Sequence, residues 1–397
     1  MAILHVPNYR RFIGIALLAA IVVAGAGPAT AADETVELPT VLSVTGPAAF
    51  IGKQALQSVQ LIAGLINAQG GIRGKMVHVS LQDTTSTPAT AVQLLNQLIG
   101  QHVQATFGPT FTAECNALVP LITAGPIVSC FSPGVHPAPG AFMFSAGVGS
   151  DSMAAGIATY FRSQKWTRVA IMSSTDASGQ DFEENFDKVM ALPVNSGLKL
   201  VAREHFAVSD LSVGAQISRI KAANPQTVIV WTAGTGLGVA LHGVHDADLD
   251  VPIMAGNGNM VRAQLTGYDG FLPKTLLFPG VPGVTPLPSA PAGVKAAQSQ
   301  YFAAYAKTGA KPDLPGALSW DPSRLLLDAY AALGWNATAD QLRAWIVSQH
   351  AWSGVNGVYD FAKYPQRGIG VESCIITRWD ASAHDFVAVS GSGGAPR

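Results

Sequence analysis

The amino-acid sequence predicts an α/β protein of two similar lobes, each a mainly parallel sheet flanked by helices. Segments with apolar residues at alternate positions are followed repeatedly by segments with an apolar stripe at helical spacing. This alternation is typical of parallel sheets that are covered by helices on both faces. It restarts near residue 150, which indicates a second unit of the same kind, and 41 glycines and 25 prolines supply the turns.

The first series of elements extends from Val36 to Cys130. Its first helix carries an apolar stripe and ends at Gly70 and Gly71, because glycine readily adopts the left-handed conformation found at helix ends. In order, the predicted elements are strand Val36–Val44, helix Lys53–Gln69, strand Val77–Leu81, helix Pro88–Gln101, strand Ala105–Phe107, helix Ala113–Thr123 and strand Ile127–Cys130.

The second series repeats this pattern and is followed by a less regular region. Its predicted elements are helix Met153–Gln164, strand Arg168–Met172, helix Phe182–Met190, strand Lys199–His205, helix Ser212–Ala223, strand Thr227–Trp231, helix Gly236–His245 and strand Pro252–Met254. Phe278–Gly293, rich in proline and glycine, is predicted to be a surface loop. The last predicted elements are helices Tyr301–Lys307, Pro322–Gly334 (N-capped by Asp321) and Leu342–Gln349 and strands Gly357–Phe361 and Glu372–Trp379.

The composition argues against several classes of function. The chain has 24 Lys and Arg against 25 Asp and Glu, whereas a nucleic-acid-binding protein needs a basic excess. Gly234–Gly238 resembles a dinucleotide-binding loop, but its third glycine falls one position early. His242, His245 and Asp246 lack a second group of metal ligands. We therefore predict no nucleic acid, cofactor or metal and, since no hydrolase motif is present, no enzymatic activity.

Residues 1–31 are predicted to be a cleaved signal peptide. Arg10 and Arg11 precede the apolar run Phe12–Ala26, which is short for a membrane span, and Ala29–Ala31 supplies the small residues of a cleavage site. A membrane anchor is the alternative, and the sequence leaves open whether export uses the Sec or the twin-arginine route. The predicted location is the periplasm.

The chain has three cysteines: Cys115, Cys130 and Cys374. An exported protein meets an oxidising compartment, and an odd number leaves at least one thiol free within a monomer. Cys115 and Cys130 form the most plausible pair because they are close in sequence. Three buried cysteines that act as small apolar residues are the alternative.

The segment Ile66–Gly74, with Asp83 and Pro88 downstream, resembles the opening of the branched-chain amino acid type of periplasmic solute-binding protein. Its pattern is Asn-Ala-x-Gly-Gly-Ile-x-Gly, and Thr45–Pro47 and Gly108–Thr112 fit the same family in order and spacing. The resemblance implies a type I periplasmic-binding-protein fold, in which the chain crosses three times between two lobes that clamp a ligand. It also implies a monomer that delivers its ligand to the permease of an ABC importer.

The resemblance also implies where the lobes divide. The crossings are expected near Ser145–Gly149, Asn257–Met260 and Val355–Tyr359. The first lobe would then comprise residues 36–144 and 261–354, and the second would comprise residues 148–256 and 358–390.

Candidate ligand-binding residues lie in loops after predicted strands, where parallel sheets bind ligands. Thr110, Phe111 and Thr112 open a helix, where hydroxyl and N–H groups suit a carboxylate, although Thr112 could be an ordinary N-cap. Ser132 begins the matching loop after the next strand, and the resemblance implies that Val135 and His136 contact the same carboxylate. Apolar walls would come from Phe50, Ile51, Phe111 and Trp320.

At three places the chain departs from the family pattern. Ser178 and the segment around Thr235 stand where the family often has aromatic residues, and Asn257 stands where amino-acid-binding members have an acid. A buried ammonium group without a counter-charge costs several kcal/mol. Asp176 could replace the missing acid. We therefore predict a small carboxylate ligand, an organic or aromatic acid without an α-ammonium, with an amino acid as the alternative and a receptor-coupled sensor as a different class of function.

Overall fold

The computed structural model describes residues 1–2 and 34–397, so the predicted signal peptide lies almost entirely outside the described residues. The first lobe is built on five parallel strands in the order β2-β1-β3-β4-β5. Its elements are β1 (Thr35–Leu42), α1 (Ala49–Asn67), β2 (Met76–Asp83), α2 (Pro88–Gly100), β3 (Ala105–Phe107), α3 (Thr112–Leu118), β4 (Ile127–Ser129) and β5 (Met143–Phe144).

The second lobe is built on a seven-stranded sheet in the order β14-β13-β10-β9-β8-β6-β7. Five of these strands are parallel, and β13 and β14 continue the sheet as antiparallel strands. The elements up to β10 are α4 (Ser150–Ser163), β6 (Arg168–Ser174), α5 (Ala177–Met190), β7 (Lys199–Phe206), α6 (Gly214–Ala222), β8 (Thr227–Trp231), α7 (Gly236–Asp246), β9 (Ile253–Ala255), α8 (Arg262–Thr266) and β10 (Leu276–Gly280).

The chain then returns to the first lobe before it ends in the second. The elements are α9 (Ala292–Ala306), α10 (Leu314–Leu333), α11 (Ala339–Val347), the hairpin strands β11 (Trp352–Ser353) and β12 (Val358–Tyr359), β13 (Ile375–Asp380) and β14 (Asp385–Ala388). Helix α10 packs along α1, where Ser58 Oγ donates to the carbonyl oxygen of Gly316 at 2.8 Å. The central strands β3, β4 and β8 are buried at every residue, as expected when helices cover both faces of a sheet.

The second sheet contains a strand that the sequence assigned elsewhere. Leu276–Gly280 pairs in parallel with β9, although residues 261–354 were predicted to lie in the first lobe and Phe278–Gly293 to be a loop. The proline at 279 is tolerated inside this strand, and the chain leaves the second lobe only after Gly280. The local sequence pattern did not predict this strand, because the contacts that stabilise it come from its partner strands, β9 and β13.

Helix α10 begins at Leu314, eight residues before the predicted start at Pro322. Asp321 is not its N-cap but a buried residue whose carboxylate accepts hydrogen bonds from the N–H groups of Val355 (2.7 Å) and Asn356 (2.9 Å). The Tyr359 hydroxyl donates to the same carboxylate at 2.9 Å and lies 3.2 Å from the carbonyl oxygen of Ala146. Asp321 thus holds the third crossing, and it orients the Tyr359 hydroxyl that lies beside the first crossing, a role that no local pattern reveals.

Cys115 and Cys130 form a disulfide that joins α3 to the end of β4, and Cys374 is a buried free thiol. The favoured pairing of the three cysteines is therefore the one observed. Among the described residues, no helix combines the length and apolar character needed to span a bilayer.

Candidate ligand-binding site between the lobes

A cavity of about 60 Å³ lies between the lobes, where the carboxyl ends of both sheets meet. Loops after β3 and β4 form one wall, and loops after β8 and β9 form the other, because parallel strands end at the same edge of each sheet. The lining residues are Ile51, Thr110, Phe111, Thr112, Phe131, Ser132, Pro133, Ser178, Trp231, Thr232, Ala233, Asn257, Gly258, Leu314, Pro315 and Leu318.

The first-lobe wall presents a row of hydroxyl groups. Thr112 Oγ1 and Ser132 Oγ lie 2.8 Å apart and are both buried, so the two loops are joined at the cavity. Thr110 is 8% exposed, and its Oγ1 has no hydrogen-bond partner among the described residues. The N-cap of α3 is Phe111, without a side-chain capping bond, so Thr112 does not act as the ordinary N-cap that the sequence allowed.

The second-lobe wall combines an aromatic surface with neutral polar groups. The Trp231 ring stacks on Phe182 with centroids 3.5 Å apart, which fixes the indole at the end of β8. Thr232 and Asn257 are buried, and in the part of the chain that the structure describes neither Thr232 Oγ1 nor Asn257 Nδ2 has a hydrogen-bond partner. Together with Thr110, three partnerless polar groups therefore line one largely apolar cavity.

No acidic or basic side chain is among the residues that line this cavity. Asp176, the possible substitute acid, instead caps α5 by accepting from the Gly179 N–H at 3.0 Å. Glu114 lies in the first turn of α3, where its carboxylate accepts from Thr84 Oγ1 (2.6 Å) and Ser43 Oγ (3.0 Å). Burial raises the pKa of Glu114, although these two hydrogen bonds partly oppose the shift.

The structure brings seven of the predicted residues to the cavity: Ile51, Thr110, Phe111, Thr112, Ser132, Ser178 and Asn257. Four others lie elsewhere: Phe50 is 44% exposed on α1, Val135 is buried in the loop, His136 pairs with Asp181 outside the cavity, and Thr235 lines a separate groove. Trp320, a suggested wall, packs against Tyr301 in the first lobe instead. Periodicity cannot distinguish these positions, because loop direction decides which side chains reach the cavity.

Several lining residues were not predicted from the sequence. Trp231 and Thr232 end a correctly predicted strand, so the rule that ligands bind at strand ends could have found them. Phe131 sits in the same way after β4. Leu314 and Leu318 come from α10, which is far in sequence from the loops after β3 and β4, and no local signal marks them.

The lobes are in contact around the cavity. Gly234 has φ +70°, and a Cβ there would lie 2.7 Å from the carbonyl oxygen of Pro47 in the first lobe, so the close approach requires glycine. The Gly234–Gly238 segment therefore allows the two lobes to approach closely at Gly234 and forms the first turn of α7. The described residues contain no group of three His, Cys, Asp or Glu side chains arranged to hold a metal ion.

Two parallel sheets with a cavity between their carboxyl ends, connected by a chain that passes repeatedly between them, define a two-lobed type I binding protein. The chain belongs to the periplasmic binding protein family, whose model matches residues 35–385. This match confirms the family that the Ile66–Gly74 segment suggested. The periplasm is the location typical of the family.

Known proteins that are similar to this chain differ in the ligands that their names state. The Leu/Ile/Val-binding protein homolog 3 of Brucella melitensis is 21% identical over 71% of this chain and 77% of its own length. LivJ of Streptococcus pneumoniae, solved with isoleucine, is 19% identical with a TM-score of 0.74, over 90% of this chain and 99% of its own. A fatty acid ABC transporter substrate-binding protein of Thermomonospora curvata is 16% identical with a TM-score of 0.76, over 91% and 92%. At these identities the structures show a shared fold.

Proposed function

We propose that this protein captures a small organic or aromatic acid without an α-ammonium group and delivers it to the permease of an ABC importer. The observation that carries the proposal is the neutral cavity, whose polar groups are hydroxyls and one amide. The Thr110 hydroxyl and one hydroxyl of the Thr112–Ser132 pair can donate to a carboxylate, while the other hydroxyl of the pair donates to its neighbour. Hydrogen bonds to a charged group contribute about 1.5–3 kcal/mol each, so neutral donors suffice for an anion.

An amino acid fits the same cavity less well. Its ammonium group needs acceptors or an acid, and a buried unpaired charge costs several kcal/mol. Asn257 offers at most one carbonyl oxygen, and the Asp176 carboxylate is used to cap α5. The apolar residues Ile51, Trp231 and Leu318 suit the hydrocarbon or aromatic part of an acid.

The proposed mechanism is binding without chemistry. The ligand first contacts the hydroxyl wall of the first lobe, and the second lobe then closes on it by bending at the crossings. The closed monomer presents its ligand to the permease, and the energy for transport comes from the importer's ATPase subunits. Export through a cleaved signal peptide at residues 1–31 belongs to the same proposal.

Calorimetric titration with leucine, isoleucine and valine beside benzoate-type acids and dicarboxylates tests the ligand class. An acid without an ammonium group should bind at least tenfold more tightly than leucine. Leucine binding in the micromolar range or tighter, with no acid competing, would contradict the proposal.

Asn257→Asp provides a matched test of the charge argument. The added carboxylate would face an ammonium group favourably and a second carboxylate unfavourably, by about 1.4 kcal/mol or more in each direction. The variant should therefore bind amino acids at least tenfold better than the wild type and acids at least tenfold worse. Asn257→Gln, which keeps the amide, controls for altered shape.

A branched-chain amino acid is the second candidate ligand. The names of the Brucella melitensis relative and of the Streptococcus pneumoniae structure favour it. In that case leucine or isoleucine would bind to the wild type, and Asn257→Asp would change the affinity for them little because the ammonium is already satisfied.

A further inference from the structure

One contact between the lobes lies outside the cavity, beside the first crossing. The loop Ser132–His136, here called the site loop, follows β4 and contributes Ser132 to the cavity wall. At its other end, His136 Nε2 lies 2.8 Å from Oδ1 of Asp181 on α5 of the second lobe. The same short loop therefore touches the cavity and the opposite lobe.

Asp181 is held in place by its own lobe. Ser150 Oγ donates to Asp181 Oδ2 at 2.5 Å, and Asn185 Nδ2 donates to Asp181 Oδ1 at 3.2 Å. Both partners are buried, and the Asp181 side chain is only 15% exposed. A carboxylate fixed in this way is already oriented for His136, so little further ordering is needed when the lobes meet.

Arg367 connects the site loop to the hinge. Its guanidinium donates to the carbonyl oxygens of Val135 and, at 3.3 Å, Pro133. It also donates to the carbonyl oxygens of Ser145 at 3.2 Å and Gly147 at 2.8 Å, both in the first crossing. A planar group with five N–H donors can bridge this many acceptors, whereas a lysine ammonium cannot hold the same geometry. The first crossing and the site loop are therefore hydrogen-bonded to the same guanidinium group.

We propose that His136 and Asp181 form a latch between the lobes, positioned by Arg367, that favours the closed arrangement and prolongs the stay of a ligand in the cavity. Opening carries α5 away from the site loop and breaks the contact. Closure restores it while Ser132 is held against Thr112 in the cavity wall. The inference rests on the two-lobed clamp of the proposed function, but it does not depend on which ligand is bound.

The test measures the distance between the lobes in the ligand-free protein. Spin labels on Lys53→Cys in the first lobe and Leu211→Cys in the second report that distance by double electron–electron resonance. Both positions are exposed. The native cysteines should not be labelled, because Cys374 is buried and the other two are bonded to each other.

Asp181→Asn and His136→Gln should each lower the ratio of closed to open molecules by about two- to fivefold, the range typical of a partly exposed ion pair. The double variant should lower it by less than the sum of the two single effects, since both substitutions remove the same His136–Asp181 contact. His136 Nε2 also lies 3.3 Å from Ser150 Oγ and 3.4 Å from Asn185 Nδ2, so the effect of His136→Gln should be the larger of the two. His78→Gln is the control, because His78 Nδ1 pairs with Glu37 at the same 2.8 Å within the first lobe, and it should leave the ratio unchanged.

Wild-type distance distributions in both single variants, or additive shifts in the double variant, would overturn the latch. Since no ligand is present, an error in the proposed ligand class cannot produce either result. Thermal melting of each variant separates a change in closure from a change in folding, and His136→Gln should match the wild type because that side chain is 42% exposed.

Discussion

Thr110→Val should change stability and ligand affinity in opposite directions. The Thr110 hydroxyl is buried and has no hydrogen-bond partner within residues 34–397, so removing it relieves a cost of about 1–3 kcal/mol in the free energy of the ligand-free protein. If the same hydroxyl donates to a ligand carboxylate, its loss weakens binding by about 1.5–3 kcal/mol. This corresponds to a roughly 10- to 150-fold rise in Kd.

Urea denaturation of the ligand-free variant gives the stability, and calorimetric titration with the tightest-binding acid gives the affinity. Thr106→Val is the control, because Thr106 Oγ1 donates to the carbonyl oxygen of Pro39 at 3.0 Å, away from the cavity. It should lower stability by about 1–3 kcal/mol and leave Kd unchanged. Unchanged affinity in Thr110→Val would remove this hydroxyl from the site, and a loss of stability like that of the control would refute the reasoning about its burial.

Three further predictions concern the hydroxyl wall, the hinge and the disulfide. Thr112→Ala should raise Kd about tenfold or more and lower stability by about 1 kcal/mol, because the bond to Ser132 is lost; calorimetry and urea denaturation test both. Burial raises the pKa of Asp321 to about 6, so the stability that its protonated form contributes is complete below about pH 4 and is lost, by about 3 kcal/mol, as the pH rises from 4 to 6; urea denaturation from pH 4 to 7 should show that Asp321→Asn lacks this part of the slope. Replacing Cys115 and Cys130 by alanine should lower the unfolding free energy by about 3 kcal/mol, the entropy of a loop of 15 residues, and a reducing agent should have the same effect on the wild type but none on the variant.

Whether a predicted residue lines the cavity depends on the kind of sequence signal that marked it. Thr110, Thr112 and Ser132, which were predicted from their positions after short apolar strands, line the cavity. Val135 and His136 lie only three and four residues after Ser132, but neither lines the cavity. Val135 accepts a hydrogen bond from Arg367, and His136 pairs with Asp181. Those partners are separated from the loop by 45 residues in one case and 232 in the other, beyond the reach of any local pattern.

The sequence by itself determined the alternation of strands and helices, the division into two lobes and the family, because hydrophobic period, turn residues and the Ile66–Gly74 pattern are all local properties. Only the tertiary structure decided that Leu276–Gly280 joins the second sheet, that Asp321 holds the third crossing, and that Trp231 and Leu318 face the same cavity. Each of these depends on contacts between segments far apart in the chain. Their free energy comes from burial and hydrogen bonds that exist only once both lobes have formed.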